Sequence, residues 1–284
     1  MSSFNDKIGH LDDNFKIFHI RDKKELNFDY HHHDFNKIII FISGDVKYFI
    51  EGKTYTLKPW DILFINNNDI HKPIVNKDVP YERIVIWLNP KIKINDIENN
   101  NSLLNCFDLS KKLRHNLLRL NAPNTNCLKK IVNEIINSKD SNLFGSEILN
   151  YSLFLVIMVY INRWFIENEK RKDGVTSYKI VDDIVEYINS NIDKDLSIDT
   201  LAQKFHISKF SLSRYFKSKT GNSLHNYILK RRLVYAKALI VEGYSMKSAA
   251  TKCGFNDYST FVRGFKKEYN ISPRDYLKSI KENY

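Results

Sequence analysis

The sequence predicts an α+β chain of two domains: a front half of short strands closing into a sandwich or small barrel, with helices behind it, and an all-α tail. Three observations carry this. Residues 15–90 are short apolar runs separated by polar turns, as in sandwiches and small barrels. From about residue 100 the apolar residues recur at helical spacing. The tail writes one helical pattern twice at a nearly fixed offset, and self-similarity of that kind marks a repeated structural unit.

At 284 residues there is room for both domains and a substantial core. The 43% hydrophobic content, with 13% aromatic, excludes a disordered chain. The net charge of +11 is unevenly placed: residues 201–284 hold 17 Lys and Arg against 5 Asp and Glu, a surplus of twelve, so the first 200 residues sum to −1. Positive charge confined to the repeats is the footprint of a polyanion partner, and no basic amphipathic anchor directs it to a membrane. Cys106, Cys127 and Cys253 are few, scattered and odd in number. They show neither metal-ligand spacing nor a disulfide framework, which fits a reducing cytoplasm. Met1–Leu11 is too polar for a signal peptide. The most apolar run, Ile148–Ile161, is too short to span a bilayer and reads as a buried helix.

The front elements follow in order. Phe15–Phe18 is a brief strand, and Ile38–Ile42 is continuous and apolar. Ser43-Gly44-Asp45 turns the chain into Val46–Ile50, and Glu51-Gly52-Lys53 turns it into Thr54–Leu57. Ile62–Ile65 and Ile84–Leu88 follow, with Asn66–Asp69 a loop between them. A helix is expected over Lys111–Leu120, after Leu103, Leu104 and Phe107, and Ala122-Pro123-Asn124 interrupts the pattern. Cys127, Leu128, Ile131, Val132, Ile135 and Ile136 mark a second helix, and Glu147–Glu167 a long third one. Its Leu149, Leu153, Val156, Ile157, Tyr160, Ile161 and Trp164 cover a wide arc, which must be buried from several sides, by the barrel or by a second subunit. The stretch 167–177 is charged and lacks apolar anchors, so it is the domain boundary. Beyond it Ile180, Ile184, Ile188 and Ile192 fall every fourth residue, the packing stripe of the first tail helix.

In the tail, Leu201–Lys217 and Ala249–Lys266 are the two copies. Ala202 and Ala250 lie 48 apart, whereas Arg214/Arg263, Phe216/Phe265 and Lys217/Lys266 lie 49 apart, a one-residue insertion assigned to Gly254. Each copy has the parts of a helix-turn-helix, over 197–219 and 245–268. A small residue (Ala202, Ala250) sits where helices cross, and a polar N-cap (Ser208, Asp257) opens the second helix. Its buried face would be Leu212 with Phe216, or Phe261 with Phe265, four residues apart. The outward face holds Lys209, Ser213, Arg214 and Lys217 in one copy, and Tyr258, Ser259, Val262, Arg263 and Lys266 in the other. Such arginines suit base edges and phosphates. A solvated surface would present the same charges, but two copies with matching Arg and Lys positions weigh against it. Between the copies, Ser223–Glu242 is one amphipathic helix with Leu224, Tyr227, Ile228, Leu233, Ala236, Leu239 and Ile240 apolar. It would be about 28 Å long, close to the roughly 34 Å turn of B-DNA.

At these residues the chain resembles the AraC/XylS-type transcription regulators. The resemblance rests on Ser208-Lys209-x-x-Leu212-x-Arg214-x-Phe216-Lys217, Tyr227-Ile228, Arg232-Leu233-x-x-Ala236, Ala250-x-x-Cys253-Gly254-Phe255, Phe261-x-Arg263-x-Phe265-Lys266 and Ser272-Pro273-x-x-Tyr276, in the family's order and spacing across about 178–280. It implies two helix-turn-helix units on a linker helix, binding double-stranded promoter DNA, with Phe210, Ser213, Arg214, Tyr258, Ser259, Val262 and Arg263 facing the bases. Asn270 departs from the family's usual glycine, a change Asn tolerates in the left-handed region.

The front half more loosely resembles a cupin-like sensor domain through His31-x-His33, Gly44, Gly52, Pro59-Trp60-Asp61 and His71-x-Pro73. In metal-binding cupins His31, His33 and His71 would be ligands with a glutamate at position 37. Here position 37 is Lys, whose ammonium repels a divalent cation, so no metal and no cofactor are expected. The resemblance implies an effector site at the barrel mouth drawn from His31, His33, Lys37, Trp60 and His71. The expected plan is therefore a cupin-like β-barrel at 1–100, a helical, dimerising segment at 101–166, a linker at 167–177, and an all-α double helix-turn-helix domain at 178–284. The function so implied is a cytoplasmic, non-membrane transcription regulator, an activator that senses a small effector, forms a homodimer and recruits RNA polymerase. Two readings compete. A cupin-type metal-dependent enzyme fused to a DNA-binding module is opposed by Lys37 and by the lack of a paired-carboxylate or Cys/His nucleophile set, so no catalytic residue is assigned. Non-specific or RNA binding is opposed by the lack of an aromatic stacking platform on the basic face.

Overall fold

The structure, a computed structural model, describes residues 11, 13–22, 30–76, 78–92, 102–139, 143–168, 175–176 and 178–282. Most of the polar N-terminus and of the 167–177 linker thus lies outside the described residues.

Seven strands open the chain: β1 (Phe15–Asp22), β2 (Asn36–Ser43), β3 (Val46–Ile50), β4 (Lys53–Thr56), β5 (Ile62–Ile65), β6 (His71–Val75) and β7 (Tyr81–Leu88). They continue through α1 (Asn105–Leu113), β8 (Leu117–Leu118), α2 (Ala122–Lys139), α3 (Ser146–Glu167) and β9 (Val175–Thr176). Two antiparallel sheets result, ordered β1-β7-β2-β5-β8 and β6-β3-β4-β9. The uninterrupted apolar run of β2 has a simple cause: both of its faces are covered. Ile38 and Ile40 join Ile62, Phe64, Ile84 and Ile86 in a core shared with α1–α3. Ile39 and Phe41 point the other way, into a core of Tyr48, Ile50, Tyr55, Leu63, Ile65 and Tyr81 between the sheets. The helices at 101–166 therefore share a core with the barrel instead of forming a separate unit.

Several expectations need correction. The helix expected over Lys111–Leu120 ends at Leu113, because Arg114 adopts a left-handed conformation with φ of 51°. Leu117 and Leu118 then pair with β5 and are buried there as β8. Strand β6 was not foreseen, since Pro73 argues against a strand. It lies at the edge of its sheet, paired along its length with β3 and bridged only at His71 to His31 among the described residues, so the missing N–H of Pro73 is tolerated. Pro123 does not break a helix; it lies in the first turn of α2, where its missing donor costs nothing. The apolar run read as 148–161 belongs to a 22-residue helix, α3, that is long and apolar enough to cross a membrane by length and composition. One side of it, Phe154, Ile157, Met158, Ile161, Trp164 and Phe165, is sealed into the barrel core. The other side is not covered: Leu149 and Val156, expected to be buried, are exposed with Ile148, Val159 and Ile166.

The tail is α4 (Lys179–Ser190), α5 (Ile198–Lys204), α6 (Lys209–Thr220), α7 (Leu224–Val241), α8 (Met246–Lys252), α9 (Tyr258–Tyr269) and α10 (Pro273–Glu282). All seven apolar residues expected of the linker helix are buried along α7. In α4 the buried stripe is Val181, Ile184, Val185 and Ile188; Ile180 and Ile192 are only partly buried at its ends. The two halves also share a core. Tyr30, Phe49 and Ile70 of the front half pack with Val181, Ile184, Val185, Leu201, Phe216, Leu224 and Tyr227 of the tail.

Candidate nucleic-acid interface and effector site

Both helix-turn-helix units are built by the same local chemistry. Ser197 and Ser245 cap α5 and α8, accepting from the N–H of Thr200 and Ser248 at 3.2 Å each. Ser208 caps α6 through Ser211 N–H at 3.1 Å, and Asp257 caps α9 through Ser259 and Thr260 N–H at 3.2 and 2.8 Å. Ala202 and Ala250 are buried at the crossings, and Leu212, Phe216, Phe261 and Phe265 are fully buried as expected. Asn270 ends α9 with φ of 57°, the left-handed conformation its family position requires.

The turns correct the assignment of the insertion. His206 (φ 53°) and Gly254 (φ 76°) are the left-handed residues that follow each first helix. The next residue bonds back equivalently in both copies, Ile207 N–H to Ala202 O at 3.0 Å and Phe255 N–H to Ala250 O at 3.1 Å. Gly254 is therefore the counterpart of His206, and the extra residue is Asn256, just before the Asp257 cap. Gly254 must be glycine for another reason: a Cβ there would lie 2.8 Å from Ile192 O and 2.7 Å from Arg232 Nη2. Arg232 on α7 donates to Ile192 O at 3.2 Å and Lys194 O at 2.7 Å beyond α4. It thereby welds the first unit to the linker helix against the turn of the second. At 18 residues α7 is about 27 Å long.

The outward faces are as the repeat predicts. Arg214, Lys217, Arg263 and Lys266 are exposed, Phe210 is 74% exposed, Tyr258 and Ser259 are exposed, and Ser213 and Val262 are half-buried beneath them. Arg263 Nη2 reaches Thr260 Oγ1 at 3.3 Å. Lys209 is exposed as well, with its ammonium paired to Asp199 on α5. Both partners are largely exposed, so polyanion contact at that position competes with a weak ion pair.

At the front, the structure brings together four of the five candidate effector residues. His31 and His71 pair through their backbones, N–H to carbonyl, at 3.1 and 3.0 Å, with ring centroids 4.2 Å apart. His33 lies 4.8 Å from His71 and stacks on Phe35 at 4.2 Å. Lys37 lies 5.8 Å from the Phe35 ring. His33 Nδ1 meets Phe35 O at 2.7 Å and His71 Nδ1 meets Asp69 O at 2.9 Å. A carbonyl only accepts, so both protons are assigned to Nδ1, leaving each Nε2 a bare acceptor. Both Nε2 atoms are buried without a hydrogen-bond partner among the described residues. Burial holds both imidazoles neutral, His31 and Lys37 adding to the effect. Among the described residues no three His, Cys, Asp or Glu side chains are placed to share a metal ion. Trp60 is elsewhere: it packs on the helical side of the sheet, under Lys129 of α2 at 5.2 Å.

Between the halves lies a polar junction that sequence reasoning missed. Glu51, at the tip of the β3–β4 hairpin, accepts from Ile70 N–H at 2.6 Å, Tyr227 Oη at 2.9 Å and Arg231 Nη1 at 3.2 Å. Gly52 beside it comes so close to α4 that a Cβ would lie 3.1 Å from Val185 Cγ2. Asp34 accepts from Lys237 Nζ at 2.6 Å, and His32 Nε2 shares a hydrogen bond with Tyr269 Oη at 3.0 Å. Burial, then Lys237 and Lys230, holds His32 neutral. Burial and the neighbouring Glu51 push the Asp69 carboxyl up to about 7. One signal was available: Lys237 falls among Leu233, Val234, Ala236 and Ile240, and an ammonium on a buried helical stripe needs a carboxylate from another element.

A chain with two capped recognition helices on a welded linker, behind a two-sheet domain with a histidine-lined mouth, is a DNA-binding regulator in class. Comparison with known proteins agrees. Residues 201–279 match a helix-turn-helix domain and residues 16–153 an AraC-like ligand binding domain. The HTH-type transcriptional activator RhaS of Mannheimia succiniciproducens is 28% identical over 252 residues, 87% of this chain and 88% of that protein. The probable transcriptional regulator LumQ of Photobacterium leiognathi is 28% identical over 251 residues, 87% and 91% of the two chains. Among solved structures, ToxT from Vibrio cholerae O395 covers 93% of this chain and 97% of its own at 18% identity and a TM-score of 0.39. The DNA-binding domain of AdpA in complex with a target DNA covers 36% of this chain and 92% of its own, at 22% identity and a TM-score of 0.35. This chain belongs to the AraC/XylS-type family of transcription regulators. The relatives named are transcription regulators, and the metal-dependent enzyme alternative finds no support among them.

Proposed function

We propose that the chain is a cytoplasmic, sequence-specific transcription activator that lays α6 and α9 in successive major grooves of promoter DNA. Phe210, Ser213, Arg214, Tyr258, Ser259, Val262 and Arg263 meet base edges, and Lys209, Lys217 and Lys266 meet phosphates. The observation that carries this is the matched pair of exposed Arg/Lys faces on N-capped helices joined by a linker that Arg232 ties to the connection between α4 and α5. Activation is supported by the similarity to the transcriptional activators RhaS and RhaR, and we infer that it runs through contact with RNA polymerase. A small polar effector engages His31, His33, His71 and Lys37, where two buried acceptors await donors; Trp60 is left out of that site.

A second copy of the chain covers the outer face of α3. Ile148, Leu149, Val156, Val159 and Ile166 form an apolar stripe along it, continued by Leu143 and by Phe144, which is fully exposed. An antiparallel α3 from a second subunit meets such a stripe with one of the same kind. Genome-wide mapping of bound DNA, followed by competition binding at fixed salt, tests the DNA reading. Binding that ordinary competitor DNA abolishes would reduce the protein to a non-specific polyanion binder.

A further inference from the structure

Residues 30–34 run between the two halves as a strap whose side chains alternate between them. Tyr30 packs into the tail's core, its ring edge-on to Phe49 at 5.2 Å and its hydroxyl beside Gly221. His31 turns the other way, to His71 at the barrel mouth. His32 turns back to the end of α9, meeting the Tyr269 hydroxyl at 3.0 Å with Glu268 3.8 Å from its Nδ1. His33 faces the mouth again, against His71 and Phe35. Asp34 faces α7, where it holds Lys237 through both oxygens at 2.6 Å. The alternation has the period of two that an extended chain produces. One short strip thus carries the mouth's histidines on one face and the anchors of α7 and α9 on the other.

A second connection runs in parallel. The carbonyl of His33 accepts from Asn68 N–H at 2.8 Å, and the carbonyl of Asn68 accepts from Arg231 Nη1 at 3.3 Å. The strap is thus pinned to the mouth by the His31–His71 backbone pair and to the tail by contacts with two different helices. A strip fixed on both faces cannot yield on one face without moving the other, because packed elements adopt discrete arrangements. His33 Nε2 and His71 Nε2, the buried acceptors without partners, are the atoms that an incoming donor would engage and reposition.

We propose that residues 30–34 transmit occupancy of the barrel mouth to α7 and α9, so that a ligand engaging His31, His33 or His71 alters DNA affinity through His32 and Asp34. This rests on the reading of the mouth as the effector site and of the tail as the DNA-binding surface. It adds a route between them, a coupling that must act equally in both directions.

The test uses the full chain and a DNA fragment recovered by the mapping experiment. His33→Gln and His71→Gln perturb the mouth, Asp34→Asn and Lys237→Gln perturb the tail side, and Leu128→Ala in α2 is a core control away from the strap. Hydrogen exchange over residues 224–241 and 258–269 is read together with the DNA dissociation constant. The mouth variants should speed exchange in the second half of α7 and the end of α9, and change DNA affinity about 5-fold or more. In a Lys237→Gln background the same substitutions should change it much less, whereas Leu128→Ala should leave α7, α9 and affinity as they were. Exchange rising only around residues 30–36 and 68–75, or a mouth effect undiminished in the Lys237→Gln background, overturns the proposal. Should His33→Gln fail to fold, the reciprocal arm decides: Asp34→Asn or Lys237→Gln must loosen the amides of β6, and unchanged β6 exchange refutes the route. A wild-type chain with no preference for the mapped fragment would instead refute the DNA reading, while the exchange arm still judges the strap.

Discussion

The two left-handed turn residues make opposite predictions from equivalent positions, and Gly254 is the sharper one. Its φ is 76°, and a Cβ would meet Ile192 O at 2.8 Å, Arg232 Nη2 at 2.7 Å and Arg232 Cζ at 2.9 Å. The guanidinium can swing aside only by releasing the Ile192 and Lys194 carbonyls it caps, and the Ile192 carbonyl is backbone. Gly254→Ala therefore combines left-handed strain of about 1–2 kcal/mol with overpacking of about 1–3 kcal/mol. The expected destabilisation is roughly 2–5 kcal/mol, concentrated in α8, the start of α9 and the end of α4. His206 is exposed, with φ of 53°. For His206→Gly, relief of strain offsets added unfolded-chain entropy to within about 0.5 kcal/mol. Segment-resolved hydrogen exchange in a denaturant series on the full chain measures both, and avoids forcing a two-domain protein into a two-state fit. If Gly254→Ala cost under about 1 kcal/mol, or His206→Gly cost as much as Gly254→Ala, the equivalence of the two turns and the role of Arg232 would both be wrong.

Other predictions follow from the site. Arg214→Ala and Arg263→Ala should each weaken operator binding by about 1–3 kcal/mol and relax base preference, whereas Lys217→Ala and Lys266→Ala should weaken binding to all sequences and reduce the salt slope by about 1; identical behaviour of the two classes in salt titrations would undo the division of roles. Asp69 is raised from 3.8 to about 7, so its stabilising contribution is complete below about pH 4 and is lost as pH rises through 7. Asp69→Asn should therefore flatten the stability profile between those limits, and urea melts giving parallel profiles for variant and wild type would reject the assignment. On α3, Ile148→Glu and Val156→Glu should convert the proposed dimer to monomer in sedimentation velocity with little loss of stability, because both residues are already exposed; an unchanged sedimentation coefficient would refute an α3-mediated dimer.

What could be read from residues alone was whatever local chemistry decides. Val46–Ile50 and Ile62–Ile65 are strands with the predicted ends, because polar turns bracket them closely. The caps Ser208 and Asp257 and the buried pairs Leu212/Phe216 and Phe261/Phe265 follow from helical period. Gly254 misled because a glycine inside a motif draws the eye, whereas the residue that breaks the register, Asn256, is an unremarkable turn residue. β8 is only two residues long and borrows its identity from β5. The junction was hidden for the same reason: Glu51 reads locally as a polar turn residue and Asp34 as the end of a loop, and only tertiary placement turns them into acceptors for Arg231 and Lys237. For α3 the sequence left two coverings open, barrel or second subunit, because apolar period cannot distinguish a residue facing the core from one facing a partner.

Strand β9 carries a consequence for anyone who wishes to exchange sensor modules between family members. Val175 and Thr176 extend the sheet by pairing with Tyr55 and Thr54 of β4, so the tether is itself a piece of the front module's architecture. A chimera joined before Val175 would strip that strand from its host and leave β4 as a bare edge, open to pairing with a foreign chain. A splice placed after Thr176, with the donor's own two-residue strand retained, keeps the seam outside the sheet.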